Sequence, residues 1–238
     1  MEQKTGIIGA MDSEIALLTA RMEQKTERRE AGIVFHEGRL EGQPVVVARC
    51  GIGKVCAALC AQAMAVRFGA DRLLNTGVAG GLNQSLEIGD MVVSRDAVQH
   101  DFDISVFGHA KGYMGFGDSH EPTRFAADPD LIACFERVAP SALGGHNYRV
   151  GTIASGDQFI QSLERKQQLI EEFGADAVEM EGAAVAQAAS SMGIPFLVLR
   201  AISDLAGRQA SVSFDQFEQE AANISANLVL AMLREIGR

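Results

Sequence analysis

The sequence PFLVLRAISD, residues 195–204, contains the element that decides the fold class. The run Pro195–Ile202 is apolar at every position except Arg200, and runs of this kind form strands that are buried on both faces of a sheet. Ser203 and Asp204 follow directly, where the predicted strand ends. We therefore expect a central strand whose carboxyl end presents an acidic residue.

Outward from this strand, predicted strands alternate with predicted helices. Strands are predicted at residues 4–10, 33–40, 44–50, 72–76, 90–99, 148–154 and 177–179, and helices at 13–22, 54–68, 129–138, 163–173 and 182–192. A last helix is predicted to begin at Ser213, because Gln216 follows three residues later as in a capping box. The charged run 27–30 is interpreted as solvated surface. The alternation predicts one α/β domain over residues 1–238, a three-layer α/β/α fold with a twisted mixed central sheet.

The composition limits the partners that this protein can have. Its 238 residues are 47% hydrophobic, enough for a sizeable core, and carry a net charge of −10. The negative charge disfavours nucleic acid and anionic membranes, so a small molecule is the expected partner. We expect a cytoplasmic protein, because no apolar run suits a membrane span or a signal segment. The four cysteines lack the spacing of a zinc site, so no metal is expected.

Three acidic residues follow predicted strands and are the candidate catalytic groups. Asp204 ends the most apolar strand, and burial there would raise its pKa, so that the neutral acid can donate a proton. Glu14 and Glu181 follow two other strands, where one carboxylate can activate water and the other can hold sugar hydroxyls. For any one of them, a helix cap or a surface charge is the simpler interpretation. Three such residues at one sheet edge favour an active site.

Eight motifs in the sequence together resemble one known family. They are GIIGAM-x-x-E (6–14), CGIGK (50–54), NTG-x-AGGL (75–82), IGDMVVS (88–94), SGDQFI (155–160), AVEMEG (177–182), RAISD (200–204) and SFDQF (213–217). This combination resembles the bacterial 5′-methylthioadenosine/S-adenosylhomocysteine nucleosidases of the purine nucleoside phosphorylase superfamily, nearly end to end. The resemblance implies a nucleoside phosphorylase-like fold and hydrolysis of the N-glycosidic bond that joins adenine to a 5′-thio-substituted ribose. It implies no cofactor.

The resemblance also implies roles for the residues that chemistry had singled out. Asp204 corresponds to the acid that protonates adenine N7, and Ser203 to the residue that orients it. Glu14 corresponds to the residue that holds and deprotonates the attacking water. Glu181 corresponds to the residue that binds the ribose hydroxyls, and Arg200 is expected near the water and Glu181.

Other motif positions imply contacts with the substrate. Phe159 corresponds to the aromatic residue that stacks on adenine, and the Ile160 backbone to the group that reads the base edge. Met180 is expected beneath the sugar. The remaining expected substrate-binding residues are Met11, Ile52 and Phe214, which would line the 5′-thio pocket, together with Val78 and Glu179.

The resemblance further implies a homodimer in which each subunit closes the other's site. Ile104 and Phe107 correspond to the residues that a partner subunit contributes. Two departures from the family pattern occur. Val78 stands where the family often has Ser or Thr, and Gly115-Phe116-Gly117 stands where a Pro is common.

Three alternatives stay open at the level of sequence. A nucleoside phosphorylase would use phosphate in place of water, although Glu14 would repel that anion. A hydrolase of 6-amino-6-deoxyfutalosine would use the same residues on a different tail. A non-catalytic binder of adenosine derivatives would be expected to lack the acid or the water site, whereas Asp204, Glu14 and Glu181 are all present.

Overall fold

The computed structural model describes residues 2–115, 120–207 and 210–237, which form ten strands and six α-helices. The strands are β1 (Thr5–Gly9), β2 (Glu23–Glu30), β3 (Ile33–Leu40), β4 (Gln43–Arg49), β5 (Arg72–Gly81), β6 (Met91–Gln99), β7 (Phe125–Ala126), β8 (Tyr148–Ser155), β9 (Ala175–Glu179) and β10 (Phe196–Asp204). The helices are α1 (Asp12–Arg21), α2 (Lys54–Phe68), α3 (Pro129–Ala142), α4 (Leu163–Phe173), α5 (Gly182–Met192) and α6 (Ala210–Ile236). A short 3₁₀ turn spans Ser105–Phe107.

All ten strands belong to one mixed sheet, in the order β10-β6-β8-β9-β5-β1-β4-β3-β2, with β7 paired to β6. The strand β10 also pairs with β5, so β10, β6, β8, β9 and β5 form a closed ring. The remaining strands extend the sheet outward from β5. The strands β1, β4, β5 and β10 run parallel, so their carboxyl ends meet at one edge.

The helices cover the sheet in two layers. On one side α1 and α3 pack against α6, and α6 lies on β5 and β10. On the other side α2 packs against α5, and these helices contact β1, β8 and β10. The predicted α/β fold with a mixed central sheet is confirmed. None of the helices in the described part of the chain is long and apolar enough to cross a membrane.

The predicted central strand is correct, and it is longer than the apolar run. All nine residues of β10 are buried, including Arg200 and Asp204. The ladder with β5 is irregular between Ile202 and Asp204, which indicates a bulge at Ser203. This bulge changes the direction of the side chains at the end of the strand, where the candidate acid lies.

Several elements differ from the prediction, and the two-residue strand β7 was not predicted. The run 27–30 belongs to β2, an edge strand whose charged side chains are mostly exposed while its backbone pairs with β3. The helix α6 begins at Ala210, so Ser213 is not its N-cap. The strand β5 continues through Gly81 instead of ending at Thr76, because it pairs with β10 as far as Gly80 and with β9 at Gly80 and Gly81.

Candidate active site

A cavity of about 490 Å³ opens where the strands β1, β5, β9 and β10 end. Its volume lies within the range of small-molecule sites. The expected site residues that line it are Met11, Glu14, Ile52, Val78, Phe159, Ile160, Glu179, Met180, Glu181, Ser203, Asp204 and Phe214. The tertiary fold thus brings together twelve of the residues that the sequence had singled out, from seven different motifs of the chain.

Glu14 is buried and bound by three backbone amides. One carboxylate oxygen, Oε2, accepts hydrogen bonds from the amides of Ala10 at 2.6 Å and Met11 at 3.0 Å. The other, Oε1, accepts one from the amide of Val78 at 3.0 Å. Glu14 therefore caps α1 and also belongs to the cavity wall. Burial raises the pKa of this carboxyl group, while Arg200 and the three amides oppose the rise.

Arg200 lies behind the cavity wall and not on it. The side chain is 0% exposed, and its Nη2 donates to Asn75 Oδ1 at 2.6 Å and to Glu179 Oε2. A side chain at Gly77 would collide with both Arg200 and Glu14, so only glycine lets these two groups approach the strand here. Burial by itself lowers the pKa of Arg200, but Glu179, Glu14 and Glu181 outweigh this effect and raise it.

The two glutamates of the VEME segment have different surroundings. Four protein groups bind the Glu179 carboxylate: the Ser155 hydroxyl, the Arg200 guanidinium and the amides of Glu181 and Gly182. Glu181 instead accepts one hydrogen bond, from the Gly53 amide at 2.7 Å, and lies 3.7 Å from Arg200 Nη2. Burial and the neighbouring Glu179 raise the pKa of Glu181 to about 8. Glu181 thus keeps unused hydrogen-bonding capacity toward the cavity, whereas Glu179 holds the loop.

Asp204 is only 2% exposed and faces the cavity from the bulged end of β10. Its Oδ1 accepts a hydrogen bond from the Ala206 amide at 2.8 Å, and its Oδ2 accepts one from the Ser203 hydroxyl at 3.1 Å. Burial raises the pKa of the carboxyl group, and these two hydrogen bonds and Lys166 act in the opposite direction. A carboxyl group in such surroundings is suited to hold a proton and then release it.

One part of the cavity wall is apolar. The rings of Phe159 and Phe214 meet edge to face, with their centroids 5.7 Å apart. Met11 and Ile52 lie on the same wall. Since Phe159 remains 45% exposed, a planar ligand has access to the face of this ring.

Several residues of the site were not singled out from the sequence. Asn75 and Ser155 hold Arg200 and Glu179 in place, and they belong to the NTG-x-AGGL and SGDQFI motifs. The fold also adds to the cavity wall Ala10, Ala79, Gly80, Gln158, Gln161, Val178, Ser211 and Asp215. Most of these residues are sequence neighbours of predicted site residues, so the motifs themselves indicated that they would lie near the site.

The residues expected to act on a partner subunit lie outside this chain's own cavity wall. Phe107 is 76% exposed in the 3₁₀ turn, and Ile104 precedes that turn. Of the segment Gly115-Phe116-Gly117, residues 116 and 117 lie outside the described residues. No group of three or more potential metal ligands occurs within the ranges that the structure describes.

Comparison with known proteins shows the superfamily to which this chain belongs. The family model described as the phosphorylase superfamily matches residues 4–234. The closed mixed sheet and the acidic cavity at its edge are those of a member of this superfamily.

Individual relatives show which family within this superfamily the chain belongs to. The chain is 43% identical, over 97% of its length and 96% of the relative, to the 5′-methylthioadenosine/S-adenosylhomocysteine nucleosidase of Geobacillus thermodenitrificans. It is similar, with a TM-score of 0.92 and 38% identity over 98% of this chain and 99% of the other, to the nucleosidase of Neisseria meningitidis in complex with methylthio-immucillin-A. It is equally similar in structure to a futalosine hydrolase of Helicobacter pylori, with a TM-score of 0.92 and 40% identity over 98% of each chain. The chain belongs to the 5′-methylthioadenosine/S-adenosylhomocysteine nucleosidase family.

Proposed function

We propose that this enzyme hydrolyses the N-glycosidic bond of 5′-methylthioadenosine and S-adenosylhomocysteine, releasing adenine and the 5-thioribose product. The observation that carries the proposal is the convergence of three buried carboxyl groups, those of Glu14, Glu181 and Asp204, on one cavity. The names of the relatives support the same reaction, and the ligand of the Neisseria meningitidis enzyme, methylthio-immucillin-A, supports a methylthio-substituted substrate.

In this proposal Asp204 is the general acid. Adenine leaves poorly as an anion, and protonation at N7 lets it leave as a neutral base. The buried Asp204 carboxyl group holds a proton more tightly than an exposed aspartate does, and Ser203 and the Ala206 amide fix its orientation. A general acid of this kind accelerates bond cleavage by about 10²–10⁴-fold.

Glu14 holds and deprotonates the water that attacks the sugar carbon. Its carboxylate is fixed by the amides of Ala10, Met11 and Val78, so it does not need to reorient during the reaction. Arg200 approaches Glu14 only from behind the wall, and we assign it a positioning role for the glutamates.

Glu181 binds the ribose hydroxyls, and Met180 packs beneath the sugar. As adenine departs, the ribose gains oxocarbenium character, as in the hydrolysis of other glycosides. Glu14 lies in the same cavity, and its carboxylate stabilises this positive charge. Glu179, whose carboxylate is fully engaged by protein groups, holds Glu181 in place.

The apolar part of the cavity wall binds the two ends of the substrate, the adenine base and the thioether tail. Phe159 stacks on the adenine ring, and the Ile160 backbone contacts the edge of the base. Met11, Ile52 and Phe214 receive the thioether, which is neutral and needs no charged partner.

The charges of the cavity favour water over phosphate as the nucleophile. The ionisable side chains among the described lining residues are all acidic, so none of them offers a positive charge to phosphate: Glu14, Glu179, Glu181, Asp204 and Asp215. An anionic nucleophile would be repelled by this wall, and Arg200 is already compensated by Glu179. The phosphorylase alternative therefore has no support in this site.

The proposal includes a homodimer in which Ile104 and Phe107 close the partner's cavity. The helix α2 exposes three apolar side chains on one face, Val55, Leu59 and Val66. The salt bridge between Lys54 and Asp101, 2.5 Å long, joins the start of this helix to the segment that carries Phe107. A dimer formed through this face would bury these three side chains, the apolar stripe of α2, together with Phe107.

We also propose that the enzyme works in the cytoplasm. All four cysteines of the chain are free thiols, as expected in a reducing compartment.

The test is an adenine-release assay with 5′-methylthioadenosine, S-adenosylhomocysteine, adenosine and 6-amino-6-deoxyfutalosine, in buffers with and without phosphate. The proposal expects adenine from the two thio-substituted nucleosides without phosphate. Asp204→Asn is expected to abolish release while its circular dichroism stays that of the wild type. A strict phosphate requirement would overturn the proposal. Faster turnover of the futalosine-type compound would favour the activity of the Helicobacter pylori relative.

A further inference from the structure

A lysine outside the cavity wall holds the end of the strand that carries Asp204. Lys166 lies on α4, and its Nζ donates hydrogen bonds to the carbonyl oxygens of Gly81 at 3.0 Å and Leu205 at 2.8 Å. Gly81 ends β5, and Leu205 is the residue directly after Asp204. One ammonium group therefore joins the ends of the two strands that meet at the cavity.

We propose that Lys166 is a positioning residue for Asp204, both by holding the backbone just after the acid against the end of β5 and by keeping a positive charge near its carboxyl group. This inference rests on the proposed role of Asp204 as general acid. Lys166 is not among the residues that line the cavity, so it acts through Asp204 and not on the substrate.

The backbone around Asp204 needs such support. The regular ladder between β10 and β5 is interrupted just before this residue. Just after it, Ala206 adopts a left-handed conformation with φ of 45°, which is unfavourable for a residue with a Cβ atom. The Ala206 amide is one of the two groups that hold Asp204. The hydrogen bond from Lys166 to the Leu205 carbonyl oxygen holds the peptide group that joins Leu205 to Ala206. The Ala206 amide belongs to this same peptide group.

The charge of Lys166 also acts on Asp204. Burial raises the pKa of the Asp204 carboxyl group, and the ammonium group of Lys166 opposes that rise. Burial likewise lowers the pKa of Lys166, and Asp204 opposes the fall. The two groups thus stabilise each other's charged forms.

Among the residues that the structure describes, the other charged groups around β10 do not provide a second cation for Asp204. The helix α5 and β5 beyond Arg72 contain no charged residue. On β6, Arg95 binds Asp96, and on α4 Arg165 is turned toward His100. Arg200, on β10 itself, binds Glu179. The remaining charged side chains near the acid in the described ranges are carboxyl groups: Glu14, Glu179 and Glu181 on the cavity wall, Asp215 of α6 on the same wall, and Glu218 of α6, which binds Ser13.

The test compares the pH dependence of kcat for 5′-methylthioadenosine in the wild type, Lys166→Met, Lys166→Arg and Arg165→Met. The general acid must be protonated, so activity falls as the pH rises through its pKa. Without the cation this pKa rises, and the alkaline limb of Lys166→Met is expected to move up by about one pH unit. Lys166→Arg keeps the charge and is expected to keep the limb near its wild-type position. Arg165→Met is the matched control from the neighbouring position, and its limb is expected to stay in place.

A folded Lys166→Met enzyme with an unmoved alkaline limb would overturn the inference, even if its kcat were reduced, because a purely structural role lowers kcat without moving the limb. If Lys166→Met does not fold, the same comparison with Lys166→Gln, which keeps a polar head group, decides. Failure of the proposed function is distinguishable from failure of this inference. If the proposed function fails, the wild type releases no adenine or Asp204→Asn retains full turnover. If only this inference fails, the wild type releases adenine, Asp204→Asn does not, and the alkaline limb of Lys166→Met stays at the wild-type position.

Discussion

Arg200 donates its hydrogen bond to Glu179 and leaves Glu181, 3.7 Å away, as an ion-pair neighbour without a direct bond. The guanidinium is wholly buried, and the carboxylates of Glu14, Glu179 and Glu181 all raise its pKa. One cation thus compensates three acidic groups from behind the cavity wall.

Arg200→Met is expected to destabilise the protein strongly. The substitution leaves buried carboxylates without their cation, and loss of one partner of a buried pair costs about 3–5 kcal/mol in the free energy of unfolding. Urea denaturation measures this change. Arg39→Met, which removes the surface pair with Glu2, is the control and should cost less than about 1 kcal/mol. Equal losses in the two variants would show that the buried network does not stabilise the fold.

Glu14→Gln is expected to bind 5′-methylthioadenosine but not to cleave it. The amide still accepts hydrogen bonds from backbone groups, but it cannot take a proton from water, so kcat should fall by about 10²–10⁴-fold. Calorimetric binding and single-turnover assays separate the two effects. Asp12→Asn, an exposed position on the same helix, should change neither quantity. Loss of binding with unchanged turnover would indicate a structural role for Glu14.

The pKa of Glu181 predicts a dependence of stability on pH. Its value is about 8 in the fold and 4.5 for the free side chain. Between these values the folded state holds a proton that the unfolded state has lost, so stability falls as the pH rises through this range. Glu181→Gln removes this pH dependence. Between pH 5 and pH 8, the free energy of unfolding of the variant should therefore rise by at least about 1 kcal/mol relative to that of the wild type. Urea midpoints at the two pH values measure it.

The control for this comparison is Glu164→Gln, which removes a carboxylate from an exposed position of α4. The difference between its urea midpoint and that of the wild type should be the same at both pH values. A Glu181→Gln curve parallel to that of the wild type would contradict the assigned pKa.

Val78→Thr is expected to increase turnover. Val78 lines the cavity, and its amide holds Glu14, so a hydroxyl at this position adds a group that can hold the attacking water. One additional hydrogen bond contributes about 0.5–1.5 kcal/mol, which corresponds to a gain in kcat of roughly 2–10-fold. Val78→Ala, which alters the packing without adding a hydroxyl, should show no gain. If Thr and Ala lower kcat alike, the hydroxyl has no role at this site.

Leu59→Glu is expected to dissociate the proposed dimer. The charge would lie in the middle of the apolar stripe of α2, between Val55 and Val66. Light scattering should show a dimer for the wild type and a monomer for the variant, and adenine release should fall because Phe107 of the other copy is lost. Gln219→Glu, at an exposed position of α6, serves as the control. A wild-type monomer with full activity would exclude the dimer proposal.

The acidic residues of the site were accessible from the sequence because each follows an apolar strand. The strands β1 and β10 run parallel to β5, so the ends that lead to Glu14 and Asp204 meet at one edge, whereas β9, which leads to Glu181, runs antiparallel to β5. The run before Asp204 is the clearest case, and β10 is indeed buried throughout. The glycines of NTG-x-AGG were harder to interpret, since a tight turn explains them equally well. In the structure Gly77 lies inside β5, where the close approach of Glu14 and Arg200 requires it.

The sequence by itself determined the fold class, the order of most elements and the candidate carboxylates, because hydrophobic periodicity and strand-end positions are local properties of the chain. Only the tertiary structure decided which charges meet. The pairing of Arg200 with Glu179 and the contact of Lys166 with the strand ends beside Asp204 join segments that are far apart in sequence. Electrostatic energies depend on distance and burial in three dimensions, and no local pattern encodes either quantity.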